Sequence, residues 1–194
     1  MKRNIALGAV LLTAASFAAP RANADATFTA TLSGANEVPP TGSTASGSAT
    51  VTLIGNMLDV SETFSGLIGG PAAASHIQFA PAGSNGPVVV PLSGFPNATS
   101  GTYTMTFDLT QAFTYTPGFL TASGGTAAGA EAALMADMTA GNTYINIHDA
   151  TFPGGEIRGQ LSEVQNVTPE PGTILLLGTG LLGMLGAARR KWLS

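Results

Sequence analysis

Short runs in which apolar residues alternate with threonine or serine recur along the middle of this chain. In residues 27–32, 48–53 and 102–109 nearly every second side chain is apolar, and most of the others are threonine or serine. Side chains of a β-strand point alternately to its two faces, so this period of two indicates half-buried strands. Clusters of glycine, proline and asparagine separate roughly eight such runs. We therefore predict an all-β domain, an antiparallel β-sandwich of about eight short strands.

One segment of the same region breaks the alternation. Residues 127–138 are rich in alanine and other helix formers, and Ala140-Gly141 follows them as a typical helix end. The pattern predicts one short helix near the C-terminal third, packed against one end of the sandwich through Leu134 and Met138. The stretches 93–101 and 116–126 are predicted to be long loops.

The N-terminal residues have the features of a secretory signal peptide. Lys2 and Arg3 precede an apolar run, residues 5–19, and Ala22-Asn23-Ala24 provides the small residues of a cleavage site. We predict a signal peptide over residues 1–24, cut by signal peptidase after Ala24. The alternative is an N-terminal membrane anchor.

The C-terminal residues combine an apolar stretch with a cluster of bases. We predict that residues 172–188 form a C-terminal transmembrane helix about 25 Å long, which is at the short end for a membrane span. Arg189, Arg190 and Lys191 follow it, and Pro169-Glu170-Pro171 precedes it. A basic flank stays cytoplasmic, so the preceding domain is expected across the membrane.

These three parts, in this order, resemble the PEP-CTERM sorting signal of Gram-negative bacteria. The resemblance assigns residues 166–194 to sorting and implies recognition of Pro169-Glu170-Pro171 by an exosortase. It implies a transient inner-membrane anchor, and then a place at the cell surface or in the extracellular polymer matrix. A plain single-pass anchor is the alternative.

The remaining domain, residues 25–165, is acidic and has no cysteine. It has ten acidic residues and one basic residue, Arg158, which gives a net charge of −9. Such a surface repels phosphate backbones and excludes nucleic acid as a partner. Without cysteine there is no disulfide, thiol nucleophile or iron–sulfur cluster.

Several stretches of this domain resemble the CHRD domain family, named for chordin. They are residues 32–40, 75–79, 86–89, 144–149 and 154–160. The resemblance implies an all-β extracellular module, whose biochemical role in bacteria is largely unassigned. The family often has His-Ile-His where this chain has His76-Ile77-Gln78, and glutamine is a poor ligand for zinc or copper.

Strand alternation groups the polar residues of these stretches and suggests two hypotheses. In the first, His76, His148 and Glu156 bind one zinc, copper or iron ion, a donor set that suits these metals. In the second, no cofactor is present and the polar residues form a buried network that fixes strand register. There Arg158 pairs with Glu156, Glu37 or Asp149, and the other members are Gln78 and Asn146.

No catalytic motif accompanies these residues. The sequence has no Gly-x-Ser-x-Gly elbow, no P-loop and no His-Glu-x-x-His. We expect an exported, non-enzymatic module that binds or packs within an extracellular polymer, with exopolysaccharide as one candidate partner. The alternative is a metal carrier or redox-active protein that uses the His/His/Glu set.

Overall fold

The computed structural model describes residues 25–164. The predicted signal peptide with Ala22 and Ala24, the Pro169-Glu170-Pro171 motif and the C-terminal apolar segment lie outside this range. The described residues form nine strands: β1 (Ala26–Ser33), β2 (Ser46–Ile54), β3 (Met57–Ser65), β4 (Ala72–Phe79), β5 (Val88–Pro91), β6 (Gly101–Asp108), β7 (Thr143–Asp149), β8 (Ile157–Gln160) and β9 (Ser162–Glu163). The predicted strand-rich architecture is confirmed.

All strands belong to one antiparallel sheet that folds over on itself. The order is β5-β4-β7-β8-β1-β2-β3-β6, and β9 adds a second short pairing to β1. The β4 and β3 strands stand far apart in this order, yet the Ser75 hydroxyl of β4 bonds to the Glu62 carboxyl of β3. The two halves of the sheet therefore face each other as the layers of a sandwich.

The apolar residues of the alternating runs are buried, as the period of two predicts. Along β1, Phe28, Ala30 and Leu32 are buried while Thr29 and Thr31 are exposed. Strand β7 departs from this pattern, because six of its seven residues are buried and the seventh, His148, is half-buried. A strand buried on both faces must be covered on its outer side as well, and loops provide that cover.

Two α-helices pack at one end of the sandwich. The predicted helix is confirmed as α2 (Ala127–Thr139), and Leu134 and Met138 are both fully buried. The prediction of a continuous loop over residues 116–126 was wrong, because α1 (Pro117–Ala122) forms there. Its start has a local cause: the Thr116 hydroxyl accepts from the Phe119 N–H, and Pro117 occupies the first helical position.

Two 3-10 turns, Gly34–Asn36 and Ala112–Thr114, complete the described elements. Between residues 25 and 164 no helix has the length and apolar character needed to cross a membrane.

A carboxyl group lies inside the sandwich core. Glu62 is 1% exposed and accepts hydrogen bonds from the Ser75 hydroxyl at 3.1 and 3.3 Å. Burial raises the pKa of Glu62 to about 8, and the Ser75 hydrogen bond offsets only part of that rise. The group is therefore mostly protonated at neutral pH.

We predict that Glu62→Gln removes part of the pH dependence of stability. A pKa raised in the folded state favours folding at low pH, and that contribution is lost between about pH 4.5 and pH 8. The wild-type free energy of unfolding should fall across this window by at most about 1.4 kcal/mol per pH unit from this group. Glutamine keeps a partner for Ser75 and does not ionise, so the variant should be the more stable protein at about pH 8.

Urea unfolding between about pH 6 and pH 8 measures this difference. The matched control is Glu163→Gln, at an exposed position on β9, and it should follow the wild type. Equal slopes for wild type and Glu62→Gln would contradict the prediction.

Candidate functional site

A layer of polar side chains covers the outer face of β4, β7 and β8. Backbone register places His76 opposite Asn146, Gln78 opposite Tyr144, and Asn146 opposite Arg158. We call these residues, with His148 and Glu37, the polar layer. All are buried except the two histidines, which are half-buried. Strand alternation in the sequence grouped these residues with Glu156, and Glu156 lies elsewhere, against Ser43, Ile68 and Gly69.

Arg158 lies at the centre of the polar layer and is only 2% exposed. Its Nη1 donates to the Asn85 side-chain oxygen and its Nη2 to the Ser84 carbonyl, each at 3.0 Å. The guanidinium carbon stands 4.1 Å from the centre of the Tyr144 ring, a cation–π contact. The charge is thus satisfied by a loop and an aromatic face.

The acids that were candidates for pairing with Arg158 have different roles. Asp149 Oδ1 accepts from the backbone N–H groups of Thr151 and Phe152 and so closes the turn after β7. Glu156 accepts from Ser43 Oγ, Ile68 N and Gly69 N at one end of the sheet. Neither carboxylate has Arg158 as its hydrogen-bond partner.

Glu37 is the acid that interacts electrostatically with Arg158. It is 4% exposed, and burial raises its pKa to about 7. The Arg158 charge, the Val38 backbone N–H and the Asn146 side chain each oppose that rise. Glu37 Oε1 has no hydrogen-bond partner among the described residues.

The two histidines lie side by side. The ring centres of His76 and His148 are 4.9 Å apart. His148 Nδ1 is 3.1 Å from the Pro153 carbonyl, which can only accept, so Nδ1 carries the hydrogen. His148 Nε2 then accepts from the Gln78 amide at 3.1 Å. Gln78, found where the resemblance led us to expect histidine, thus occupies the lone pair through which His148 would bind a metal.

Both imidazoles are neutral at neutral pH. Burial lowers the pKa of His76 to about 4, with a further contribution from His148, and burial also lowers the pKa of His148. His76 Nδ1 is buried without a hydrogen-bond partner among residues 25–164. Neutral rings can act as ligands, but they offer only part of a coordination shell.

The third predicted ligand, Glu156, is bound elsewhere. Its carboxylate is fully buried and takes three hydrogen bonds from Ser43, Ile68 and Gly69. Within residues 25–164, no three histidine, cysteine, aspartate or glutamate side chains form a group able to hold a metal ion. The structure brings His76 and His148 together without Glu156, and metal binding stays a prediction.

A cleft of about 540 Å³ opens beside the polar layer. Arg158 and Gln160 of β8 form part of its wall, and Glu37, Ala82 and Gly83 also line it. The remaining wall residues are mostly small or apolar: Thr31, Ala35, Asn36, Val38 and Pro40. The one basic residue of the described chain and a carboxyl of raised pKa therefore share one opening.

Sequence reasoning missed the loop that holds Arg158. Asn85 accepts from Arg158 and donates to the Val38 carbonyl, so one side chain links three segments. Gly86 N donates to the Tyr144 hydroxyl, which itself donates to Gln78. No local pattern signals these contacts, because the partners are more than 45 residues apart.

Fold and site together define a class: an acidic, cysteine-free antiparallel sandwich with a polar layer over its most buried strand. Comparison with known families matches residues 28–161 to the CHRD domain. The chain belongs to the CHRD domain family. Residues 167–191 match the PEP-CTERM protein-sorting motif. No curated protein and no solved structure matches the chain.

The sorting motif fixes the destination of the protein. A PEP-CTERM signal implies recognition by exosortase-type machinery, transit through the membrane, and a final place at the cell surface or outside the cell. Pro169, Glu170 and Pro171, with Arg189, Arg190 and Lys191, all lie within the matched residues.

We predict strong coupling between Arg158 and Asn85. Arg158→Lys keeps the charge but loses the planar guanidinium, so it should lower the free energy of unfolding by about 1.5–3 kcal/mol. Asn85→Ala removes the acceptor, and the double variant should be less destabilised than the sum of the two. Urea unfolding of the four proteins gives the coupling energy. Strict additivity would contradict the contact.

Proposed function

We propose that the domain is a non-enzymatic binding module of the cell surface or the extracellular polymer matrix. The observation that carries the proposal is that four members of the polar layer, Gln78, Tyr144, His148 and Arg158, are hydrogen-bonded to one another or to the loops above them. The other three, Glu37, His76 and Asn146, each keep one buried polar atom without a partner among residues 25–164. His148 uses both ring nitrogens, and Arg158 is held by Asn85, Ser84 and Tyr144. The hydrogen-bonded members form a rigid frame, and the layer contains no serine, threonine or cysteine that could act as a nucleophile beside the histidines.

The burial of the Ser75 hydroxyl and the Glu62 carboxyl also supports this proposal. The Ser75 hydroxyl donates a hydrogen bond to the Glu62 carboxyl. At an accessible site, such a pair would be a candidate nucleophile with its general base. Both side chains are 1% exposed in the sandwich core, where no substrate can reach them. Their role is better explained as structural.

Rigidity and position suit a module that presents a preformed opening to a polymer. The cleft beside Arg158 and Glu37 is built by strand β8 and by the loops at residues 35–40 and 82–83. A preformed site loses less conformational entropy on binding. The acidic surface elsewhere keeps the domain soluble at the cell exterior.

The proposal predicts that the purified protein binds extracellular polymer isolated from the cells that produce it. Co-sedimentation with this polymer should retain the folded protein and should not retain the protein when the assay itself is run in urea at a concentration that unfolds it. The same fraction bound for both samples, or no retention of either, would contradict a binding role.

The adjacent histidines support one alternative, a metal-dependent protein. His76 and His148 could supply two nitrogen ligands if Gln78 moved aside. This alternative predicts about one equivalent of zinc, copper or iron in protein purified without chelator, lost in His76→Ala. Plasma mass spectrometry measures the metal content. A metal-free protein that stays metal-free after incubation with each ion would eliminate the alternative.

A further inference from the structure

Strand β6 is a terminal strand of the sheet, and the order of the strands places it beside β3 alone. Leu109 N donates to Asn56 O and continues the β3–β6 ladder. An antiparallel ladder uses every second residue, so the odd-numbered residues of β6 bond to β3. The even-numbered residues Thr102, Thr104 and Thr106 therefore direct their N–H and C=O groups away from the sheet. Among residues 25–164 these groups form no other backbone hydrogen bond, and we call this row the open edge.

The opposite terminal strand, β5, has a protected edge. It has four residues, follows Pro87 and ends at Pro91. Thr116 covers its outer side, where its N–H donates to the Val89 carbonyl at 2.9 Å and its hydroxyl to the Val88 carbonyl at 2.6 Å. Proline, lysine, bulges and covering loops are the usual means of closing a sheet edge. Strand β6 is eight residues long, has no proline or lysine, and pairs with β3 without a bulge.

The side chains along the open edge define the strand that would fit beside it. Met105 belongs to the same face as the buried residues Tyr103 and Phe107, yet it is 37% exposed. The three threonines of the open edge are exposed on the other face. A strand that alternates apolar residues with threonine would place an apolar side chain beside Met105 and hydroxyls beside the threonines. Such cross-strand pairs stabilise a sheet.

The charges on the threonine face favour a basic partner. Asp59 lies opposite Thr106 and accepts a hydrogen bond from its hydroxyl, and Asp108 ends β6 on the same face. Hydrogen bonds from Thr110 lower the pKa of Asp108, so this group is negative at neutral pH. The one base of residues 25–164, Arg158, lies on β8 in the polar layer. The net charge of −9 therefore opposes pairing of two copies of the domain and attracts a basic strand.

We infer that the open edge of β6 binds an extended segment of a basic extracellular polypeptide, which adds a strand to the sheet. In this mode of recognition the backbone hydrogen bonds supply affinity and the flanking side chains supply specificity. Here Met105 selects an apolar residue, and Asp59 and Asp108 select basic ones. The inference rests on the proposed binding function and adds a surface and a class of partner.

Fluorescence anisotropy with the full chain in detergent tests the inference. The probe is a dye-labelled octapeptide in which valine alternates with threonine and a lysine stands at each end. It should bind in a saturable way. The matched peptide with glutamate at each end should bind at least about threefold more weakly, because like charges across a strand pair repel. Added salt should reduce this difference, because it screens exposed charges.

A proline variant links binding to the open edge. Thr104→Pro removes the central outward N–H, which the β3–β6 ladder does not use, so the chain should fold and lose peptide binding. The matched control, Thr104→Ala, keeps the N–H and should bind as the wild type does. If Thr104→Pro lowers the melting temperature, the same bond is removed from the other side. A lysine peptide N-methylated on its threonines should then fail to bind the wild-type chain, while one N-methylated on its valines should bind.

Amide hydrogen exchange shows where the peptide binds. In the free chain the amides of Thr102, Thr104 and Thr106 should exchange fast, because no backbone acceptor protects them. The amides of Tyr103, Met105 and the other odd-numbered residues of β6 should exchange slowly. A saturating amount of the lysine peptide should slow the three threonine amides and leave the others as they are.

Four results would overturn the inference: no binding of the lysine peptide, equal binding of the glutamate peptide, full binding by a folded Thr104→Pro, or self-association of the chain that protects the three threonine amides. The last result would identify a second copy as the partner. Retention on isolated polymer together with any of these results rejects the open edge and its partner class and leaves the binding function standing. Loss of polymer retention together with saturable peptide binding rejects the polymer as the ligand.

Discussion

The stacking of Arg158 on Tyr144 organises the outer face of β4, β7 and β8. A buried guanidinium is costly unless its charge and its N–H groups are compensated. The domain compensates it with the face of Tyr144, the Asn85 side chain and the Ser84 carbonyl. This arrangement requires the loop at residues 84–86 to close over β7 and β8. Strand β7 is consequently buried on both faces, and the cleft takes its shape at the rim of that loop.

The acidic residues of this domain have different roles because their surroundings differ. Glu156 has three hydrogen-bond donors and ties the sheet end to the segments at Ser43 and Ile68. Glu62 is held in the core with a pKa raised to about 8, which keeps it neutral in most conditions. Glu37 lies between these extremes, with burial opposed by Arg158. Of these three acids, Glu37 is the one that lines the cleft beside the polar layer.

The sequence predicted the fold well because the alternation of apolar residues with threonine is a local signal. Phe28, Ala30 and Leu32 bury as that signal requires. The polar layer was predictable in membership, since His76, Gln78, Asn146, His148 and Arg158 share one face by strand parity. Glu156 was predicted to join the histidines and does not, because it precedes β8, where parity no longer fixes direction.

Contacts between distant loops and strands could not be read from the sequence. Ser84 and Asn85 belong to a glycine- and proline-rich stretch with no periodicity. This stretch has no sequence pattern that predicts its hydrogen bonds to Arg158. Gly155 is similar: its positive φ of 124° suits glycine, and a Cβ there would collide with the Asn146 side chain. These contacts can be recognised only once the folded structure brings the segments together.

The Nε–Hε signal of Arg158 in a nitrogen–proton NMR correlation spectrum tests the central claim most directly. Its loss in Arg158→Lys assigns it. A guanidinium held between Tyr144 and the loop should exchange its protons slowly at neutral pH. Its signal should therefore be sharp. An Arg158 signal broadened by fast solvent exchange would contradict the account.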